Sequence, residues 1–417
     1  MRRHRLASLV FALAAALTAG ADWFQFRGPD AQGHADGKNP PTTWGPAANV
    51  TWRKELPGSG WSSPVVAAGR VYVTTAVPEG AGGPKADQSL RAICLDAKTG
   101  ATLWDQEVFK QDGKTAPPIH SKNSHASSTG LVEGEFVYVH FGHMGTACLN
   151  AKDGSKVWAT QELKYTPVHG NGGSLLSYGD TIVFSIDGPD KQAVVALDKK
   201  TGKVAWQTPR EAKPAKSFSF TTPLLITAAG REQLISQGSD VVMALDPKTG
   251  AEIWRVRFSG YSIVPRPVFG NGLLYLSTGY DSPVVYAIKP DGKGDVTDTH
   301  VAWTVKKGGP RNASLLLIAD ALYYVADGGL LTCLDAKTGG ERWSENLGGA
   351  YSSSPAYAGG LVYLLSEDGT STVFRPGPAY DEVAKNKLSE KTQASTAFDG
   401  DALLIRTGKA LYRIEKK

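Results

Sequence analysis

Five of the eight histidines fall within 50 residues: His120, His125, His140, His143 and His169. Imidazole changes charge near neutral pH and is a common metal ligand. Together with Asn171, Arg266, Asp281 and Arg311, this set has the donors and acceptors to hold a small ligand. A metal with an Asp partner is the sharper version, with His125, His140, His143 and His169 as ligand candidates and hydrolysis as the chemistry. His140-x-x-His143 carries that reading weakly, because the helical spacing that sets two imidazoles on one helix face has no counterpart here. The blander reading has the same histidines capping loops and satisfying turn backbone. Nucleophilic catalysis finds less support. Ser62-Ser63, Ser127-Ser128 and Ser352-Ser353-Ser354 are runs outside any GxSxG elbow. Gly170-Asn171-Gly172-Gly173 leads into a strand pattern rather than the helix N-terminus a phosphate loop needs.

The elements that must position these residues are repeats. Asp/Asn-x-x-x-Gly-x-x-x-Trp recurs at Asp96/Gly100/Trp104, Asn150/Gly154/Trp158, Asp198/Gly202/Trp206, Asp246/Gly250/Trp254 and Asp335/Gly339/Trp343. Trp303 ends a stretched copy with an insertion around residues 291–294. In each copy an apolar strand enters a tight turn whose Asp accepts turn amides and whose Gly supplies φ > 0. A second strand then carries the Trp outward toward the next repeat.

A further strand pair precedes each hairpin, as in Arg70-Val71-Tyr72-Val73 and Leu361-Val362-Tyr363-Leu364. Four strands per repeat, with no helix period, predict an all-β protein: an eight-bladed β-propeller of four-stranded antiparallel blades. Seven blades is the runner-up. Residues 394–414 supply three strands without a Trp hairpin, and Asn49-Val50-Thr51-Trp52 supplies a lone outer strand. Their union closes the ring and leaves no unpaired edge. The weak repeat at 352–384 counts as a blade, with Val383 near its Trp position. Trp52, Trp104, Trp158, Trp206, Trp254, Trp303 and Trp343 are the expected blade-docking residues.

Connections between blades and turns between second and third strands emerge on one face of a propeller. That rule sends all five histidines to one rim near the axial channel. Arg266, Arg311, Asn312, Asp187, Asp281 and Asp327 map to the same face, overhung by 78–86 and 112–123. The opposite face is expected to be solvated and bland.

Composition narrows the function. Residues 1–21 hold three Arg and no acid, which leaves 42 basic against 40 acidic residues, a net +2. A near-neutral chain lacks the basic face nucleic acid demands. Three Cys in 417 residues do not make a disulfide framework. The first 21 residues read as a secretory signal: Arg2, Arg3 and Arg5, a short apolar run from Leu9 to Leu17, and Ala19-Gly20-Ala21 before the cut. The division expected is signal peptide 1–21, N-terminal extension 22–46 and propeller 47–417. The mature protein is expected as a monomer, exported to the periplasm or secreted, with no transmembrane or lipid anchor.

The LDxxTGxxxW repeats resemble the tryptophan-docking motifs of PQQ-like eight-bladed propellers, over about residues 47–417. That superfamily includes quinoprotein dehydrogenases, the Bam-complex assembly lipoprotein and exported repeat proteins whose start resembles Trp23-Phe24-Gln25-Phe26-Arg27-Gly28-Pro29. The resemblance implies a fold more than an activity. Quinoprotein alcohol dehydrogenases carry two adjacent Cys over their cofactor, and some carry CxxCH for haem. This chain has neither, so PQQ is not expected; Cys94, Cys148 and Cys333 read as small buried residues. The resulting expectation is a binding or scaffold propeller that takes a protein or small-molecule ligand on its His-rich face. The alternatives are a PQQ/Ca²⁺ oxidoreductase, with Asp281 or Asn171 at the ion, and the hydrolase above.

Overall fold

The computed structural model describes residues 22–46 and 48–416. The secretory reading of residues 1–21 lies outside these. Among the described residues the chain folds into eight sheets of four antiparallel strands, one of which gains a short parallel fifth strand at Gly294–Asp295. Blades 1 to 7 are residues 65–111, 131–160, 176–209, 224–257, 268–305, 316–346 and 356–387. Blade 8 joins residues 397–414 to Val50–Glu55, with Trp52 opposite Arg413 and Glu55 opposite Ala410. The first and last parts of the chain therefore share one sheet. Within each blade the strands are called a to d from the channel outward.

The weak repeat forms blade 7, which settles the count at eight. A bulge puts Ala384 rather than Val383 opposite Val373, the register Trp158 and Trp206 occupy opposite Cys148 and Ala196. Val383 is displaced to the surface.

The hairpin chemistry follows from the motif. Asp96 Oδ1 accepts the Thr99 amide and hydroxyl, both at 2.8 Å, and Asp198 and Asp335 repeat the arrangement. Each turn so fixed becomes a platform for the preceding blade. The indoles of Trp52, Trp104, Trp158, Trp303 and Trp343 donate to the carbonyls of Ala97, Ala151, Lys199, Ala336 and Gly377 at 2.7–3.1 Å. Their rings lie so close to the next motif that a Cβ on Gly154 would sit 2.8 Å from the Trp104 ring. Trp206 covers Gly250, but its buried N–H has no partner. Trp254 departs from the expected role altogether. It bonds Gln233 Oε1 of its own blade at 2.7 Å, because the next repeat's hairpin is replaced by the insertion, which pairs Gly294–Asp295 alongside it.

The three cysteines sit on c strands opposite Tyr72, Tyr138 and Tyr323. Burial pushes the Cys94 thiol up to about 11 and that of Cys148 to about 12, so neither is a thiolate at neutral pH. Each sulfur faces a tyrosine hydroxyl. In blade 5, where Ala287 replaces Cys, the Tyr275 hydroxyl has no partner.

The face expected to be bland is covered. Residues 22–46 run over the channel end where the a–b turns lie. The carbonyls of Trp23 and Phe24 accept the amides of Val66 and Val132, at 2.9 Å each. Gln32 Oε1 accepts the Phe269 amide, and Gly33 and Ala35 bond both sides of Tyr357. Arg27, fully buried, donates to the carbonyls of Gln32, Leu315 and Pro355. The extension is a plug that adds short strand-like contacts to the inner edges of several blades.

Candidate functional site

The channel wall is built from strand a. At its start each blade but one carries a hydroxyl, and the amide of one blade bonds the hydroxyl of the next. Ser395 donates to Ser63, Ser63 to Thr129, Thr129 to Ser174, and Ser174 to Thr222, at 2.9–3.0 Å. Arg266 donates to Ser314, Ser314 to Ser354, and Ser354 to Ser395. The serine runs seen in the sequence are thus the fastening of the inner strands. The break falls at blade 5, where Arg266 holds the hydroxyl's position.

Arg266 is completely buried and points to the plug, donating to Phe26 O at 2.8 Å and Pro223 O at 2.5 Å. Desolvation pushes its pKa down to about 9, so it remains charged at neutral pH. It is an anchor for the N-terminal segment. Sequence reasoning placed it at the mouth because it stands at the start of a strand; the side chain runs the other way.

Above this ring the channel widens into a cavity of about 680 Å³, floored in part by Phe26 of the plug. His120, His169 and Arg311 line it. The two imidazoles meet edge to face, with centroids 5.4 Å apart, and His120 Nδ1 accepts the Lys122 amide at 3.2 Å. Burial and the neighbouring His120 depress the His169 pKa. Arg311 lies over the Tyr280 ring, 5.1 Å from its centroid, and donates to the Asp281 carbonyl. Asp281 itself is on the exposed rim, where its carboxylate accepts Tyr261 Oη at 2.6 Å.

The remaining residues gather elsewhere. His140 is 2% exposed, packed on Phe184 with centroids 4.4 Å apart, and its Nδ1 meets Thr146 Oγ1 at 2.8 Å. Its Nε2 and His143 Nδ1 are buried without partners. Burial drives the pKa of His140 down to about 3 and that of His143 to about 4, with His125 adding to the latter. Asn171 joins this second group, donating to Ser128 Oγ and lying beside Tyr165. The nine candidates therefore divide between the cavity and rim, a part-buried cluster of His125, His140, His143 and Asn171 between blades 2 and 3, and the plug anchor. Asp187 is likewise interior, in a buried pair with Arg210 at 2.7 Å.

Sequence reasoning missed the cavity's aromatic residues. Trp61, Phe218, Phe220, Tyr261 and Tyr280 line it, all on connections or turns of the mouth face. The cluster Phe218–Ser219–Phe220 just before an inner strand was the readable signal.

The quinone cofactor of related folds is a poor match to these residues. No Cys lines the cavity, and its one carboxylate, Asp327, is already bonded to the Arg311 amide at 2.9 Å and Asn312 Nδ2 at 2.6 Å. Asn171 and Asp281, the calcium-ligand candidates, belong to separate groups. Among the described residues no cluster of three or more His, Cys, Asp or Glu is arranged to hold a metal ion.

The family model described as outer membrane protein assembly factor BamB matches residues 45–166, 190–319 and 295–410, and the chain belongs to that family. It is 24% identical over 289 residues to a tetrathionate hydrolase of Acidithiobacillus ferrooxidans, covering 65% of this chain and 53% of that one. It is 24% identical over 337 residues to the outer membrane protein assembly factor BamB of Moranella endobia, covering 75% and 77%. The chain spans about half or less of the length of several curated relatives it matches. Among solved structures, a europium-containing methanol dehydrogenase superposes with TM-score 0.69 at 11% identity, over 95% of this chain and 98% of that one, a likeness of fold. Among the described residues no helix is long and apolar enough to cross a membrane.

Proposed function

We propose that this chain is an exported propeller that binds a ligand or partner at the open channel mouth and performs no chemistry on it there. The observation that carries the reading is the asymmetry of the channel. One end is crossed by the chain's own residues 23–35, with a cleft of about 660 Å³ beside them lined by Phe24, Pro29 and Leu225 among others, and the other opens into an aromatic-lined cavity of about 680 Å³, the size that ligand sites occupy. The lining groups support binding rather than catalysis. Lys122 is paired with Glu367 at 2.8 Å, Lys216 with Tyr261 Oη at 2.6 Å, and Asp327 is doubly bonded. The lining imidazoles of His120 and His169 are hydrogen-bonded to no lining hydroxyl, so these two form no nucleophile–base pair. Export rests on the leader pattern at residues 1–21 and on membership of a family described as outer-membrane assembly factors.

Calorimetric titration of the full mature chain with PQQ in the presence of Ca²⁺ tests this reading. The expected result is no saturable heat and no dye-linked alcohol oxidation. Tight binding near one per chain, with oxidation, would replace the binding reading by a quinoprotein one.

A further inference from the structure

The mouth cavity has two unlike arcs, and their chemistry selects a ligand class. This step rests on the mouth being a binding site. Blades 3 to 5 contribute a continuous aromatic wall. His169 meets Phe218 at 5.3 Å between centroids, Phe218 meets Phe220 at 6.0 Å and Tyr261 at 5.7 Å, and Tyr261 meets Tyr280 at 6.2 Å. Blades 6 to 8 contribute Asn312, Gln393, Ser352 and Ser354 instead, with Trp61 of blade 1 beside them, and the hydroxyl ring runs beneath both arcs.

The deeper ring is rich in unused donors. In Ser63, Thr129, Ser174, Ser314 and Ser395 the oxygen already accepts an amide, while the O–H proton has no protein acceptor. Those residues are nine-tenths or more buried and line the cavity. A hydroxyl carries one donor and two acceptor sites, so each leaves a proton that favours an acceptor oxygen on whatever enters. Of the charged side chains in the wall, Lys122, Lys216 and Asp327 have partners, while Arg311 lies over the Tyr280 ring and donates to the Asp281 carbonyl, so hydroxyls and amides outnumber the charges still open to a ligand.

We infer that the mouth is a saccharide site, in which the aromatic arc takes the apolar C–H faces of sugar rings and the hydroxyl ring and amides take their oxygens. A pyranose is amphipathic in the way the cavity is: one face apolar, the edge lined with oxygens that accept as well as donate. An extended peptide presents one N–H and one C=O per residue at fixed spacing, whereas a sugar edge presents hydroxyls that both donate and accept, as the free groups of the ring do. Aromatic side chains also supply large, rigid contact area for such rings. The cavity volume is within the range of pockets that bury whole small ligands, which leaves room for a short oligosaccharide.

The experiment uses the full mature chain and five probes: the β-1,4-linked hexasaccharides of glucose, mannose, xylose and N-acetylglucosamine, and the α-1,4-linked glucose hexasaccharide. Each is titrated to about 10 mM, enough to reveal even millimolar affinity, with calorimetry and tryptophan emission as readouts. At least one is expected to bind saturably, with Trp61 emission altered. Tyr280→Ala and Trp61→Ala, each thermally as stable as the parent, should weaken that binding by about tenfold or more. Silence of all five saccharides overturns the assignment. A tryptic digest of casein serves as the peptide control. Binding of casein peptides that Tyr280→Ala abolishes, with the saccharides silent, would overturn the saccharide and leave a binding mouth. PQQ–Ca²⁺ binding with the saccharides silent would overturn both.

Discussion

The two ends of the channel are bounded by the same inner strands and finish in opposite ways. At the a–b end the strands' main-chain groups are met by the chain itself: Val66, Val132 and Tyr357 donate to Trp23, Phe24 and Gly33, and Arg27 and Arg266 pin the segment from within. At the other end, connections of differing length carry aromatic and amide side chains around a cavity. Backbone is repetitive, so one extra segment can serve many blades at one end. Side chains of connecting loops are free to differ, so specificity collects at the other.

Removing pieces of the closed end should have the largest consequences. Deleting residues 22–56 takes away both the plug and the outer strand of blade 8, and cooperative thermal unfolding should be lost. Deleting 22–46 alone should keep a cooperative transition at a lower midpoint, since Val50–Glu55 still closes the ring. A 22–56 deletion of normal stability would break the comparison, because neither feature would then matter.

The docking tryptophans calibrate that result away from both ends. Trp104→Ala removes a buried indole and one donor to the Ala151 carbonyl, which keeps Arg70 Nη1 at 2.8 Å, at a cost of about 3–5 kcal/mol. Trp206→Ala should cost less, because its indole makes no hydrogen bond to lose. Chemical denaturation of the two variants compares them, and equal losses would mean that the indole hydrogen bond contributes nothing.

The buried histidines predict a pH effect that neither end shares. His140 and His143 are neutral in the folded chain, with pKa values of about 3 and about 4, mainly through desolvation. The unfolded chain takes up those protons near pH 6.5. Stability should therefore be unaffected above that pH and decline as pH falls from about 6.5 toward 4, by up to about 1.4 kcal/mol per pH unit for each group. Thermal midpoints at pH 7 and 5 measure the decline, and His143→Gln should flatten it. A midpoint that holds steady over this range would mean these imidazoles are not held neutral.

The smallest expected effect concerns the hydroxyl ring. Ser174→Ala leaves the buried Thr129 amide without its acceptor, a loss of about 1–3 kcal/mol. The same change at Ser217, which is outside the ring, should be nearly silent.

Much of the scaffold was readable because its information is local and repeated. Asp, Gly and Trp at fixed spacing specify turn, conformation and docking together, and even blade 8 could be assembled from its two unpaired ends. The plug could not be read that way. Trp23 to Arg27 has no repeat to align with, and its bonds go mostly to main-chain groups, which are invisible in sequence. The histidines were placed by chain position alone, whereas the direction of a side chain decided their fate: His120 and His169 face the cavity and His140 turns into the packing against Phe184. The serine runs were visible but were tested only as nucleophiles; their recurrence at the start of successive inner strands was the signal for the ring.

Native-state hydrogen exchange of the full mature chain, followed by mass spectrometry, tests the one-ended channel most directly. The account predicts that the amides of Val66, Val132, Phe269 and Tyr357, which donate to residues 23–33, exchange as slowly as the rest of their strands, while the mouth connections at 114–123 and 211–217 exchange fast. Exchange of those four amides as fast as the connections would contradict it, because the channel would then be open at both ends.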